Sequence, residues 1–149
     1  MLTRAADYAV RVMVHMATLP VGTRIQRSTL AQATEVPDSF MSKVLQELVR
    51  ARMIASRRGV DGGFQLSVAP QAVSMLDVVQ AIDGPMQLNQ CVGDNPNCDR
   101  AVHCAAHLVW QEAQDAVAKV LKSANIADLA RLTLMRNNRP QVSTILAGS

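Results

Sequence analysis

The sequence is poor in aromatic residues: Tyr8, Phe40, Phe64 and Trp110 are the only tyrosine, phenylalanine and tryptophan residues. RNA-recognition sheets and single-strand platforms stack bases on several rings, so the scarcity argues against both. No run approaches the ~18 consecutive apolar residues that a membrane span requires. The apolar stretch over residues 1–20 carries Asp7, Arg11 and His15, a poor pattern for a secretory signal. Cysteine is sparse and odd in number, three in 149 residues, which gives no disulfide framework and fits a reducing cytoplasm. A nucleophile–base–orienter set is also missing, so the chain is not expected to be an enzyme.

What is present divides unevenly. A chain of 149 residues with 49% apolar content buries roughly 68–70% of its unfolded surface and folds without covalent staples. Residues 1–68 hold nine Lys and Arg against five Asp and Glu, a net of +4, whereas residues 69–149 hold six against seven. All three cysteines, Cys91, Cys98 and Cys104, lie in the second part. The sequence thus has a basic front half and a cysteine-bearing rear half.

Hydrophobic periodicity predicts a mainly α chain with a small β-hairpin. A first helix spans about Thr3–Thr18, on an Ala5, Ala9, Val12, Met16 stripe ended by Pro20 and Gly22. A short second helix starts at Ser28 or Thr29, where Thr29 and Gln32 have capping-box spacing. Pro37 suits the start of a third, over residues 38–53, with Met41, Val44, Leu45 and Leu48 inward and Ser39, Ser42, Lys43, Gln46 and Arg50 outward. Residues 54–57 and 64–67 read as strands around Arg58-Gly59-Val60-Asp61-Gly62-Gly63, where the Asp-Gly and Gly-Gly pairs supply positive φ. A helix capped by Ser74 follows. A long one then runs over residues 102–123, where Val102, Ala106, Val109, Ala113, Ala116 and Val120 form a heptad seam suited to a partner helix. One more short helix covers IADLARLTLM, and residues 137–149 form a loosely ordered tail.

Three helices and a basic hairpin make a winged helix-turn-helix. A helix carrying small polar groups fits the major groove, and Ser39, Ser42, Lys43 and Gln46 would present hydrogen-bonding groups to base edges there. Arg57 and Arg58 on the wing suit phosphate or a narrow minor groove, and Gly59 lets the hairpin backbone approach DNA. The expected organisation is a DNA-binding domain over 1–84, a cysteine loop over 85–104, a dimerisation helix with the short last helix over 102–135, and a tail over 136–149.

Six residues separate Cys91 from Cys98 and five separate Cys98 from Cys104. Zinc sites favour pairs two to four apart, whereas wider gaps suit an iron–sulfur cluster, whose irons take thiolates from several directions. Three thiolates leave one ligand to find. His107 is the local candidate and would share a helix face with Cys104; Asp7 is the distant one. The alternative is a cluster-free regulator whose cysteines form a thiol redox switch or bind zinc.

Over about residues 1–135 the chain resembles the bacterial winged-helix iron–sulfur transcription regulators of the IscR, NsrR and RirA type. The resemblance rests on MLTRAADYAVRVM, SFMSKVLQELVRARMIASRRGVDGGFQL, SMLDVVQAIDG and the cysteine triplet with AHLVW. It implies a cytoplasmic homodimer on a near-palindromic operator, most often as a repressor, with a 2Fe–2S or 4Fe–4S cluster sensing iron–sulfur status, redox stress or nitric oxide. It also implies the wing arginine at Arg58 and recognition contacts at Ser39, Ser42 and Lys43. Ser42 stands where IscR has a Glu thought to select between operator classes, so that selection does not carry over. Cys104-Ala-Ala-His107 resembles the IscR arrangement, in which His completes a 2Fe–2S site. Asp7-Tyr8-Ala9-Val10-Arg11 resembles NsrR, in which an Asp of the other subunit completes a 4Fe–4S site.

Overall fold

The first helix, α1 (Arg4–Thr18), begins where the Thr3 hydroxyl accepts from the Ala6 amide at 3.2 Å. In the computed structural model, which describes residues 2–94 and 96–138, α1 is the central column of the molecule. Its expected stripe is buried, but so are Ala6, Tyr8, Val10 and Met13, because four of the helices that follow and the second strand of the hairpin pack around it. At its start, the Thr3 amide donates to the Asp83 carboxylate, 80 positions along the chain, at 2.9 Å.

The second helix, α2 (Arg27–Thr34), starts earlier than the Thr29–Gln32 box suggested, and its N-cap, Gln26, makes no side-chain cap bond. The reason is non-local. Ile25 forms an antiparallel bridge with Phe64, with N–H donors at 2.9 and 2.8 Å in the two directions, so the chain stays extended to residue 26 and coils as soon as it is released. The third helix, α3 (Asp38–Arg50), buries Met41, Val44, Leu45 and Leu48 as expected. It ends three residues short of the expected bound, because Arg52 takes a left-handed φ of 59° and the Met53 amide donates back to the Leu48 carbonyl at 3.0 Å.

The hairpin pairs β1 (Ile54–Arg57) with β2 (Gly63–Leu66) in antiparallel register, from Ile54 opposite Leu66 to Arg57 opposite Gly63. The positive φ values fall at Gly59 (107°) and Gly63 (131°) rather than at the Asp61-Gly62 pair. Gly62 serves another purpose: a Cβ there would lie 2.4 Å from the Arg57 carbonyl oxygen.

Ser74 caps α4 (Met75–Asp83) through a complete capping box with Asp77. The long helix, α5 (Ala105–Ser123), follows a 3-10 turn at Ala101–His103 and starts three residues later than expected. Cys104 lies between the two in extended conformation (φ −102°, ψ 114°), so Val102 is not on the helix. The last helix, α6 (Ile126–Asn137), begins with the Asn125 side chain accepting from the Asp128 amide at 2.8 Å. Its start is pinned beside the start of α4, the Ile126 amide donating to Val73 and the Met75 amide to Ala124. Ile126 enters the same core as α1 and Leu129 packs against that core, so α6 lies on the amino-terminal helices. Residues 139–149 of the expected tail lie outside the described residues; Asn137 is the last residue of α6.

Candidate nucleic-acid interface and cysteine site

The turn between α2 and α3 is built without glycine. Glu35 adopts φ 54° and ψ 34°, the left-handed conformation that glycine takes most easily, and its amide donates to the Ala31 carbonyl. Val36 is buried directly after it, and that anchoring offsets the strain. Arg27 adds a cross-link: its guanidinium donates to the Asp38 carbonyl at 3.2 Å and lies 3.6 Å from the Asp38 carboxylate. The two helices are therefore held at a fixed angle by groups outside the reading face.

That face is open. Ser39, Ser42, Lys43, Gln46 and Arg50 are all exposed along α3. Arg50 is held by Glu47 at 3.1 Å, whereas Lys43 makes no ion pair among the described residues. Arg57, Arg58 and Gly59 are exposed on the wing, and neither arginine has an acidic partner among the described residues. Unpaired guanidinium groups keep their full attraction for phosphate.

The wing is also braced from behind, by residues the sequence did not single out. Arg24 donates to the Asp61 carbonyl at 3.2 Å, and the Gln26 amide nitrogen donates to the Gly62 carbonyl at 2.8 Å. With the Ile25–Phe64 bridge between them, these make residues 24–26 a short third edge of the wing sheet. No local periodicity announces such an edge.

The cysteine segment leaves α4 at Gly84 (φ 79°). Its base is inside the protein: Met86, Cys91 and Val92 are buried. The Leu88 amide donates to the Gln114 side chain on α5 at 2.9 Å, and the Val92 amide to the Asn89 carbonyl at 3.2 Å. Cys98 and Cys104 are exposed. Among the described residues no three His, Cys, Asp or Glu side chains stand together in a group that could hold a metal ion. The three thiols are thus brought into one segment but not to one point.

His107 and Cys104 do not share a helix face as expected, because Cys104 is the N-cap and His107 the third residue of the helix. They are neighbours nonetheless. The His107 amide donates to the Cys104 carbonyl at 3.1 Å, and both residues line a hollow of about 480 Å3 with Val102, His103 and Leu108. The Nδ1 atom of His107 is buried with no hydrogen-bond partner. A nitrogen left unpaired in this way carries a desolvation cost that a ligand would relieve. Asp7 is different: it is exposed on α1 and paired with Arg11 at 2.9 Å. In donor chemistry, three thiols plus an unpartnered imidazole suit an iron–sulfur cluster, although these donors do not stand together in one group.

The expected heptad seam faces away from the chain's own core. Val109 and Val120 are 67% and 66% exposed, Ala106 and Ala116 are exposed, and Leu108 and Trp110 add to the apolar surface. No helix among the described residues is long and apolar enough to cross a membrane.

Helix-turn-helix pair, braced basic wing and long outward-facing helix together define a winged-helix, DNA-binding transcription regulator. Comparison with known proteins agrees: residues 2–132 match the family described as "Rrf2: Iron-dependent Transcriptional regulator", and the chain belongs to it. Rv1287 of Mycobacterium tuberculosis is 32% identical over 129 residues, covering 87% of this chain and 80% of the relative. The transcriptional regulator IscR of Vibrio cholerae is 23% identical over 128 residues, covering 86% and 73%. Among solved structures, CymR, the global cysteine regulator of B. subtilis, superposes with a TM-score of 0.73 at 23% identity over 89% of this chain and 97% of that one. T. potens IscR gives 0.74 at 17% identity, over 95% and 93%.

Proposed function

We propose that the chain is a cytoplasmic, homodimeric repressor whose hold on a near-palindromic operator is set by an iron–sulfur cluster on the loop of Cys91, Cys98 and Cys104. The observation that carries this reading is the buried, unpartnered Nδ1 of His107 beside Cys104. It favours His107 over Asp7 as fourth ligand, since the Asp7 carboxylate is already paired with Arg11. Such a cluster supplies iron that responds to oxidants, nitric oxide and iron–sulfur status. Recognition falls to Ser39, Ser42, Lys43 and Gln46 in the major groove and to Arg57, Arg58 and Gly59 at the wing. The exposed seam of α5 pairs with its copy, fixing the separation of the two wings and hence the half-site spacing. Drawing Cys98 and Cys104 toward Cys91 shifts the start of α5, and with it that spacing.

The test is anaerobic purification of wild type, His107→Ala, Asp7→Ala and Cys98→Ala proteins, with iron and acid-labile sulfide assays. Wild type and Asp7→Ala are expected to be brown with stoichiometric iron and sulfide. His107→Ala and Cys98→Ala are expected to lose both while keeping their folded helical signal, since the Cys98 side chain is exposed. Colourless or zinc-loaded wild type contradicts the cluster and leaves a thiol switch or zinc site in its place.

A further inference from the structure

The long helix α5 is anchored to its own chain in an unusual way. Its one buried residue is not apolar but a glutamine, Gln114, at 8% exposure; Thr34 is the other buried polar residue among the described ones. The Gln114 side-chain oxygen accepts from the Leu88 amide, 26 positions away, at 2.9 Å. Its amide nitrogen lies against the other end of the same turn: a Cβ at Gly93, where φ is +99°, would sit 3.4 Å from that nitrogen and 3.4 Å from the Met86 carbonyl oxygen. Between those two points lie Cys91 and Val92, 8% and 1% exposed. Gln114 therefore spans the turn that holds the one buried thiol of the three.

A glutamine differs from a leucine at such a point in being directional. An apolar contact yields gradually when a neighbour shifts, whereas an amide hydrogen bond is made or lost over a few tenths of an ångström. If the turn around Cys91 moves, it must either drag α5 with it or leave the partly buried Leu88 N–H without its acceptor, which is disfavoured. We propose that Gln114 is a positioning residue that locks the Cys91 turn to α5, so that chemistry at the cysteine loop reaches the outward face of that helix through this hydrogen bond. This deepens the reading of the loop as sensor and rests on it; the hydrogen bond itself does not.

The experiment compares the full chain as wild type, Gln114→Met, which keeps length and removes the acceptor, and Gln114→Glu, which keeps an acceptor. On reduced, metal-free protein, iodoacetamide labelling of each cysteine is timed by peptide mass spectrometry. Cys91 in Gln114→Met is expected to label about fivefold faster or more, from the lower end of the cost of leaving a partly buried N–H unpaired in a local opening equilibrium. Cys98 and Cys104 are expected to label as in wild type, and Gln114→Glu is expected to restore Cys91 protection. In the same variant, the ratio of operator affinities between iron-loaded and iron-free protein is expected to fall toward one. A folded Gln114→Met protein that protects Cys91 as wild type does, or a Gln114→Glu protein no better than Gln114→Met, overturns the proposal. If Gln114→Met does not fold, amide exchange in wild type decides: a Leu88 amide exchanging at the rate of an open chain overturns it, and a protected one supports it. Labelling and exchange need no iron, so a protein that never binds a cluster still tests the hydrogen bond, while the sensor reading fails on its own.

Discussion

Arg58 is exposed at the wing with no acidic partner among the described residues, so its charge is available to DNA phosphates. Arg58→Ala is expected to weaken duplex binding and to lower the log–log salt slope by about 0.9 for one lost phosphate contact, read by fluorescence anisotropy across a salt series. Gly62 acts on the same wing through space. Gly62→Ala places a methyl 2.4 Å from the Arg57 carbonyl, a backbone atom that cannot swing aside. The expected result is operator affinity lowered about tenfold or more with the core helices retained, since a clash of this size reshapes the wing locally. His15 offers a pH signature. Burial without a compensating partner pushes its pKa below the ordinary 6.5, so the unfolded chain binds the proton first as pH falls. The stabilising increment is present above about pH 6.5 and is lost as pH drops through the lower folded value. His15→Gln is expected to reduce the slope of denaturant stability between about pH 7 and pH 5.

At the scale of elements, the apolar surface of α5 sets the strongest expectation. Leu108, Val109, Trp110 and Val120 are more than 40% exposed, with values of 72%, 67%, 42% and 66%, along this one helix. Such a face in water calls for a partner. Val109→Glu with Val120→Glu is expected to convert a dimer to a monomer by sedimentation and to lower operator affinity at least tenfold, because a single half-site remains. Of the expected seam, Ala106, Val109, Ala116 and Val120 are exposed on α5, while Val102 lies off the helix and Ala113 is half-buried; α3 was legible from the period of Met41, Val44, Leu45 and Leu48. The wing was legible from its glycines, though not which of them take positive φ. The start of α2 was not, because it is decided by the bridge from Ile25 to Phe64, residues 39 positions apart. The start of α5 was also missed: Val102 and Ala106 continue the apolar pattern through Cys104, and periodicity does not register the extended backbone there.

For the whole molecule, the sequence separated a basic half from a cysteine half, but the folded chain does not keep its last element in the second. Ile126 and Leu129 bring α6 onto the core built around α1, and α4 touches α1, α3 and α5 at once. The cysteine loop springs from the end of that same α4 and is tied to α5 at Leu88, so loop, reading head and long helix share one mechanical junction. The candidate ligands were legible residue by residue. Their arrangement was not, since Cys91 is buried, with Met86 and Val92, in a turn with no sequence period, while Cys98 and Cys104 stay outside. A junction of this kind can transmit about 1–3 kcal/mol between sites, enough for a 5–150-fold change in affinity. The most direct measurement is operator affinity at fixed salt for one anaerobic preparation, before and after its iron is removed by chelation, with Cys98→Ala protein as control. A change of at least fivefold in the wild type, absent in Cys98→Ala, is the expected result; equal affinities in all three samples would contradict the link between the thiols and DNA.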